Sequence, residues 1–243
     1  MIGERLAPAP SLVMARRLAA TAPRPETAAE TTALLDELRA CAARDRMAEL
    51  ITSICDSDRL LAECSSNSVS HPLGFDKLTL VTTPAYQLKL HIWWPTTSPR
   101  TVEDIHDHRF SFASVVLAGT LKTEIFRLDE AGTPMRRFTE HRDAYDGSYV
   151  FDPAGVIGVG QREVSIMAAR SAYFMNAEVL HRVSVEEKAL AATLFLKLRP
   201  VRHNTTVLVD RRTTTKHTRS RAGLDPRTTR RKLLDFTSTT NLT

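Results

Sequence analysis

The sequence predicts an all-β core, a sandwich or barrel, with helices before it and one short helix after it. Beyond Pro72, apolar residues recur at every second position for more than a hundred residues, which is the period of a half-buried strand. Pro, Gly, Asn and Asp separate these segments without intervening helical patterns, which favours two packed antiparallel sheets or a closed one. Before Pro72 the apolar spacing is three and four residues, typical of helices.

The N-terminal part is predicted to have two sections. Residues 1–25 are rich in Ala, Pro and Arg without a sustained period, which indicates a poorly ordered leader. Residues 26–70 carry apolar side chains at helical spacing, for example Leu34, Leu38 and Cys41, and Asp56 to Asp58 provide a helix cap. We expect two or three amphipathic helices that pack on the outside of the β core or form a dimer contact.

Residues 71–210 are predicted to form the β core. The predicted strands are Leu78 to Val81, Tyr86 to Trp94, His106 to Leu117, Leu121 to Leu128, Arg136 to Thr139, Val164 to Met167, Ala172 to Met175, Leu180 to Val185, Ala189 to Leu198 and Thr205 to Val209. The insertion between Gly119 and Arg170 is expected to add strands and, around Asp143 to Gly147, a loop over one end of the core. Residues 211–243 are predicted to be a basic linker with a helix near Pro226 to Phe236.

Composition excludes several classes of protein. The formal net charge is +5, yet residues 199–243 hold 11 Lys or Arg and three Asp, so the basic character belongs to the tail. That tail lacks interleaved aromatics and the spacing of zinc fingers or helix-turn-helix units, so specific nucleic-acid binding is not expected. Three cysteines in helical segments do not form a disulfide framework, and no apolar run is long enough to span a membrane. We expect a cytoplasmic protein.

Three histidines stand in positions that suit a metal site. Since strand side chains alternate, His106 and His108 project to one face, while Asp107 and Arg109 project to the other. His181 begins a later strand and supplies a third imidazole. Three neutral imidazoles leave coordination positions open, as catalytic sites do. The alternative is that these are polar core or surface histidines.

These residues resemble the motifs of the cupin superfamily. The first cupin motif, G-x5-H-x-H-x3,4-E-x6-G, is matched by His106, His108 and Gly119, with Phe112 in place of the glutamate. In the second motif, G-x5-P-x-G-x2-H-x3-N, only His181 is kept, and Arg170 stands where the first glycine would be. The resemblance covers about Leu78 to Leu198 and implies a jelly-roll barrel, the double-stranded β-helix of cupins.

Loss of the glutamate makes the implied metal site a three-His site, similar to that of cysteine-dioxygenase-like cupins. The resemblance therefore implies a non-haem Fe(II) oxygenase acting on a small amino-acid-like or thiol substrate. The alternative that it implies is a second group, Zn(II)-dependent isomerases or rearrangement enzymes of natural-product pathways that act on amino-acid conjugates. A third possibility is a metal-free cupin that serves as a ligand sensor or interaction module.

Four further residues are candidates for the site. Tyr173 precedes the second motif and is a candidate catalytic residue that donates a phenol hydrogen bond, the alternative being a structural tyrosine. Phe112, Ser114 and His91 are candidate substrate-binding residues. Ser114 shares the parity of the histidine pair, with core packing as the alternative. His91 is a surface residue if Leu88, Leu90 and Ile92 face the cavity, whereas the opposite orientation places Gln87, Lys89 and His91 in it.

Overall fold

The structure, a computed structural model, describes residues 9–21, 25–84, 86–142, 148–211, 218–219 and 222–240. The described part contains five helices: α1 (Pro10–Thr21), α2 (Ala28–Cys41), α3 (Arg44–Cys55), α4 (Asp58–Ser66) and α5 (Pro226–Thr239). Among these helices, none combines the length and hydropathy that crossing a membrane requires.

Thirteen strands of the described chain form two antiparallel sheets. They are β1 (Val69–His71), β2 (Phe75–Thr82), β3 (Gln87–Trp93), β4 (Ile105–His106), β5 (Phe110–Ala118), β6 (Thr120–Arg142), β7 (Tyr149–Ala168), β8 (Ala172–Met175), β9 (Leu180–Val185), β10 (Ala191–Pro200), β11 (Thr205–Asp210), β12 (Thr218–Arg219) and β13 (Ala222–Gly223). The first sheet has the order β13-β1-β2-β3-β10-β5-β8, and the second has the order β11-β4-β9-β6-β7-β12. The predicted all-β core, helical N-terminal region and C-terminal helix are confirmed.

The first sheet is covered on one face by helices and faces a cavity with the other. On β3, Leu88, Leu90 and Ile92 are fully buried in one apolar cluster with side chains of α2, α3 and α4. Burial of each such aliphatic side chain stabilises the fold by about 2 kcal/mol. The alternate residues of β3, Lys89 and His91 among them, face the cavity that separates the sheets. The helical region therefore packs on the outside of the first sheet.

The N-terminal region differs from the prediction in its first section. The helix α1 occupies part of the predicted leader, because Leu12, Ala15 and Leu18 recur at helical spacing and are buried in the same apolar cluster. The start of α2 is fixed by a capping box. Thr27 Oγ1 accepts a hydrogen bond from the backbone N–H of Glu30, and the Glu30 carboxylate accepts one from the backbone N–H of Thr27.

The chain passes from one sheet to the other within the predicted strand His106 to Leu117, so the prediction of one continuous strand here is wrong. β4 pairs with β9 and β11 in the second sheet, whereas β5 pairs with β8 and β10 in the first sheet. His108 lies in the crossing segment between them. Gly119 then turns the chain into β6 with a φ of 70°, a backbone conformation that only glycine adopts without strain.

The insertion after Gly119 adds strands, as expected, but they form one long hairpin of β6 and β7. β6 runs through both predicted strands Leu121 to Leu128 and Arg136 to Thr139. The predicted loop Asp143 to Gly147 lies outside the described residues. The C-terminal segment is partly outside them as well, but β12 pairs with β7 and β13 pairs with β1, so the segment contacts both sheets. α5, predicted near Pro226 to Phe236, packs Leu233 and Phe236 into the helical cluster. The domain boundaries stay a prediction.

Candidate metal centre and substrate cavity

His106, His108 and His181 converge at the cavity between the sheets. One ring nitrogen of each lies within 4.8 Å of the others, and the ring centroids are 4.8 to 5.0 Å apart. His106 and His181 are direct cross-strand partners of β4 and β9, and His108 reaches the same point from the crossing segment. The predicted cluster of three imidazoles is thus confirmed as a geometric fact.

The orientation of two of the rings suits metal binding. His106 Nδ1 lies 2.9 Å from the carbonyl oxygen of Asp104, and His181 Nδ1 lies 2.9 Å from that of Val179. A carbonyl only accepts, so each Nδ1 carries the proton and each Nε2 keeps its lone pair for a ligand bond. Such a carbonyl partner also fixes the plane of a metal-bound imidazole.

Burial in the cavity keeps His108 and His181 neutral at neutral pH. Burial and the nearby His106 lower the pKa of His181 to about 4, although the Val179 carbonyl and Glu103 oppose the shift. Burial likewise holds the pKa of His108 well below its usual range, with His106 and His181 adding repulsion. A neutral imidazole is the form that coordinates a metal ion, so at neutral pH no proton has to be displaced.

An ion pair beneath the histidines holds the crossing segment in place. The buried carboxylate of Asp107 accepts hydrogen bonds from Arg202 Nη2 and from the backbone N–H of Thr206, both at 2.6 Å. Arg202 also donates to the carbonyl oxygens of His108 at 2.7 Å and Ala177 at 2.9 Å. Burial raises the pKa of Asp107, and the Arg202 and Thr206 hydrogen bonds oppose that rise. One guanidinium therefore links the segment that carries His108 to the turn before β9.

A row of aromatic rings extends from the imidazoles along the first sheet. Phe112 lies 5.3 Å from His108 and 6.0 Å from His181, measured between ring centroids. Phe195 stacks on Phe112 at 4.5 Å and on His91 at 4.6 Å. Phe112 thus occupies the position of the missing motif glutamate with an apolar ring and closes one side of the site.

Tyr173 and Glu103 lie on another side of the cavity, close to His181. Burial and the charge of Glu103 raise the pKa of Tyr173 to about 12, although the Ser114 hydroxyl opposes the rise. The phenol therefore stays protonated at neutral pH and is able to donate a hydrogen bond. Glu103 accepts a hydrogen bond from the backbone N–H of Val183 at 2.8 Å, which anchors its carboxylate beside β9.

The cavity has a volume of about 680 Å³, enough for a small organic molecule beside the three imidazoles. Tyr173, Phe112 and His91 line it as the sequence suggested. The second orientation left open for β3 is the one observed, so His91 is 8% exposed and not a surface residue. Ser114 is fully buried behind Tyr173 and is not among the described residues that line the cavity.

Sequence reasoning missed several charged residues of the site. Glu103 and Arg202 were not identified from the sequence, and Asp107 was only placed on the face opposite the histidine pair. Lys77 and Lys197 line the cavity as well, together with Lys89, which the sequence placed there only in the second orientation of β3. The parity of β3 was the available signal for Lys89, because it shares a face with His91. Arg202 lies 94 residues from His108, so no local pattern indicates their contact.

No protein-family model matches the chain, and no curated protein matches it. Solved structures to which the chain is similar include hydroxypropylphosphonic acid epoxidase from S. wedmorenis, at 13% identity, 53% coverage of this chain, 52% of that chain and a TM-score of 0.32. Hydroquinone 1,2-dioxygenase from Sphingomonas sp. TTNP3 is 10% identical to this chain, and the match covers 58% of this chain and 73% of the dioxygenase, with a TM-score of 0.35. A cupin superfamily protein from Desulfitobacterium hafniense DCB-2 is 10% identical to this chain, and the match covers 50% of this chain and 74% of that protein, with a TM-score of 0.28. The chain spans about half the length of the epoxidase.

Proposed function

We propose that the chain is a mononuclear metal-dependent cupin enzyme in which His106, His108 and His181 hold one divalent first-row metal ion. The observation that supports this most directly is the convergence of three imidazoles, within 4.8 Å of one another, at the wall of a cavity. A closed structural site would use four protein donors. Here three donors face a space of substrate size, which is the arrangement of a catalytic site.

The preferred chemistry is oxygenation by non-haem Fe(II), with a small amino-acid-like or thiol compound as substrate. Three neutral ligands leave the full charge of the ion uncompensated, which favours an anionic or chelating substrate. When bound, Fe(II) would supply open coordination positions for substrate and dioxygen. Imidazole also suits Zn(II), and a Zn(II)-dependent isomerase or rearrangement enzyme is the second candidate for the same site.

The residues of the chain would position and shield the substrate. Phe112 and Phe195 exclude water from the space next to His108 and His181. The protonated phenol of Tyr173 is suited to donate a hydrogen bond to a substrate oxygen or sulfur atom, and is the proposed catalytic residue. In the metal-free chain its raised pKa keeps the phenol protonated at neutral pH, which is the form of a hydrogen-bond donor and not of a base. A homodimer and a cytoplasmic location stay predictions.

The test is metal analysis of the purified full chain, followed by oxygen-electrode assays with Fe(II) and with Zn(II). We expect close to one equivalent of metal in the unmodified protein and a loss of metal in His106→Ala and His181→Ala. His141→Ala is the matched control, because His141 lies on β6 and pairs with Asp152 away from the cluster. A chain that binds no metal after reconstitution would contradict the proposal, and metal binding without oxygen uptake would favour the Zn(II) candidate.

A further inference from the structure

His91 is a buried polar side chain that the metal centre does not use. It is 8% exposed, lines the cavity, and its Nε2 has no hydrogen-bond partner among the described residues. Burial holds the pKa of His91 well below its usual range, with the charges of Lys77 and Lys89 adding to the effect. A neutral buried imidazole with an unpaired nitrogen costs free energy unless a ligand or water pairs with it.

Lysines surround this imidazole on the cavity face of three neighbouring strands. Lys77 on β2 is the direct cross-strand partner of His91 on β3, and Lys89 lies two residues before it on the same face. Lys197 on β10 pairs with Gln87 at the end of this row. All three lysines line the cavity. All three are held in place. Lys89 Nζ donates to Thr79 Oγ1 at 3.0 Å, Lys77 Nζ lies 5.0 Å from the Phe75 ring centroid, and Lys197 Nζ lies 4.7 Å from the Phe110 ring centroid.

Positive charge is therefore concentrated on one wall of the cavity. The acidic lining residues lie on the other side: Glu103 and Asp104 precede β4, and Glu140 is on β6, all in or next to the second sheet. The repulsion from Lys77 is felt at His91 and also at His108. A cavity with low-dielectric walls and an excess of one charge concentrates ligands of the opposite charge.

The space between the lysines and the imidazoles is apolar. Phe195 has one face against Phe112 and the other against His91, so its edge is the part that meets the cavity. Aromatic edges carry partial positive charge and accept the face of another ring or an anionic atom. The wall thus suits a ligand with an apolar body and a negatively charged end.

We propose that Lys77, Lys89 and His91 form a carboxylate subsite for the substrate, with its apolar body lying along Phe195 and Phe112 toward the three imidazoles. The inference rests on the proposed function, since it names the substrate class of the same cavity: a small organic carboxylate with an apolar body. The ammonium groups of Lys77 and Lys89 neutralise the carboxylate, and neutral His91 donates a hydrogen bond to it.

The test uses two probes of nearly the same shape, benzoate and its uncharged analogue benzamide. Their dissociation constants are measured by calorimetry on the full chain, once free of metal and once with one equivalent of Zn(II). We expect the metal-free protein to bind benzoate at least tenfold more tightly than benzamide. Lys89→Met should weaken benzoate binding at least tenfold and leave benzamide binding within twofold, whereas Lys89→Arg should retain most of the benzoate affinity.

Lys188→Met is the matched control, because Lys188 is exposed in the turn before β10 and its loss removes the same charge. His91→Phe keeps a stacking ring and removes the hydrogen-bond donor, so it should weaken benzoate binding as well. Equal affinity for the two probes in the unmodified metal-free chain would overturn the subsite, and this measurement needs no variant to fold. Benzoate selectivity that appears only with Zn(II) and survives Lys89→Met would also overturn it, because the carboxylate would then bind the metal.

The two proposals fail in different ways. Selective benzoate binding in a chain that takes up no metal would leave the subsite in place and contradict the enzyme. Metal binding without benzoate selectivity would leave the enzyme in place and contradict the subsite.

Discussion

Replacement of Arg202 by Met tests how the metal centre is held. The variant keeps the length of the side chain and removes the ion pair with Asp107, as well as the hydrogen bonds to the carbonyl oxygens of His108 and Ala177. The Asp107 side chain is 5% exposed and would keep only its hydrogen bonds with Thr206. Removal of one partner of a buried ion pair costs about 3 to 5 kcal/mol. The Arg202 side chain is 30% exposed, so we expect the lower end, about 3 kcal/mol.

The assay is urea unfolding of the metal-free chain, followed by circular dichroism, with comparison of the free energy of unfolding and its denaturant slope. Arg199→Met is the matched control, since Arg199 is exposed at the end of β10, and its effect should stay within about 0.5 kcal/mol. The double variant Arg202→Met, Asp107→Asn should recover part of the loss, because it leaves no uncompensated buried charge. A loss below about 1 kcal/mol in Arg202→Met, or one equal to that of Arg199→Met, would refute the reasoning.

Three further predictions concern the same region. His181→Ala should weaken metal binding, measured by competition with a chromophoric chelator, by more than the roughly 10- to 100-fold that loss of an outer partner costs; an unchanged affinity would exclude His181 as a ligand. The metal-free chain should lose stability as the pH falls from about 6.5 toward about 4, because the unfolded state protonates His181 at its ordinary pKa of 6.5 and the folded state resists until about 4. The loss from this residue approaches about 3 kcal/mol, and a flat unfolding free energy across that window would contradict it. Gly119→Ala should destabilise the chain by at least about 2 kcal/mol, since the new Cβ would collide with the Leu190 carbonyl, whereas Gly74→Ala, at a similar positive φ but in open space, should cost about 1 kcal/mol; equal losses would exclude the collision.

The strands around the metal centre were predictable because their alternation is local. β8 and β9 have the predicted bounds, Ala172–Met175 and Leu180–Val185. Strand geometry predicts that His106 and His108 share a face. Both rings do face the cavity, although β4 ends at His106 and His108 lies outside it. The leader was misjudged because the burial of α1 depends on β2 and α3, which follow much later in the sequence.

The orientation of β3 was not predictable from its own residues. Residues on either face of β3 are able to line a cavity or to pack in a core. Which face packs in the core is determined by the helices that cover Leu88, Leu90 and Ile92. The backbone conformation of Arg170 was not predictable either. Arg170 stands where the motif has glycine, yet it adopts a φ of 76°, the left-handed conformation that glycine favours. The turn geometry of the motif is therefore kept by the surrounding pairs of β5 and β8 without the residue that favours it.

Because the chain crosses from one sheet to the other between β4 and β5, the geometry of the three imidazoles depends on how the two sheets are placed. His106 and His181 belong to the second sheet, while His108 lies two residues before Phe110, the first residue of β5 in the other sheet. An ion bound by these rings would link the two sheets at the point where the chain crosses between them. An increase in the distance between the two sheets would then lengthen the bonds from the imidazoles to the ion. The affinity for the ion would therefore depend on the spacing of the sheets.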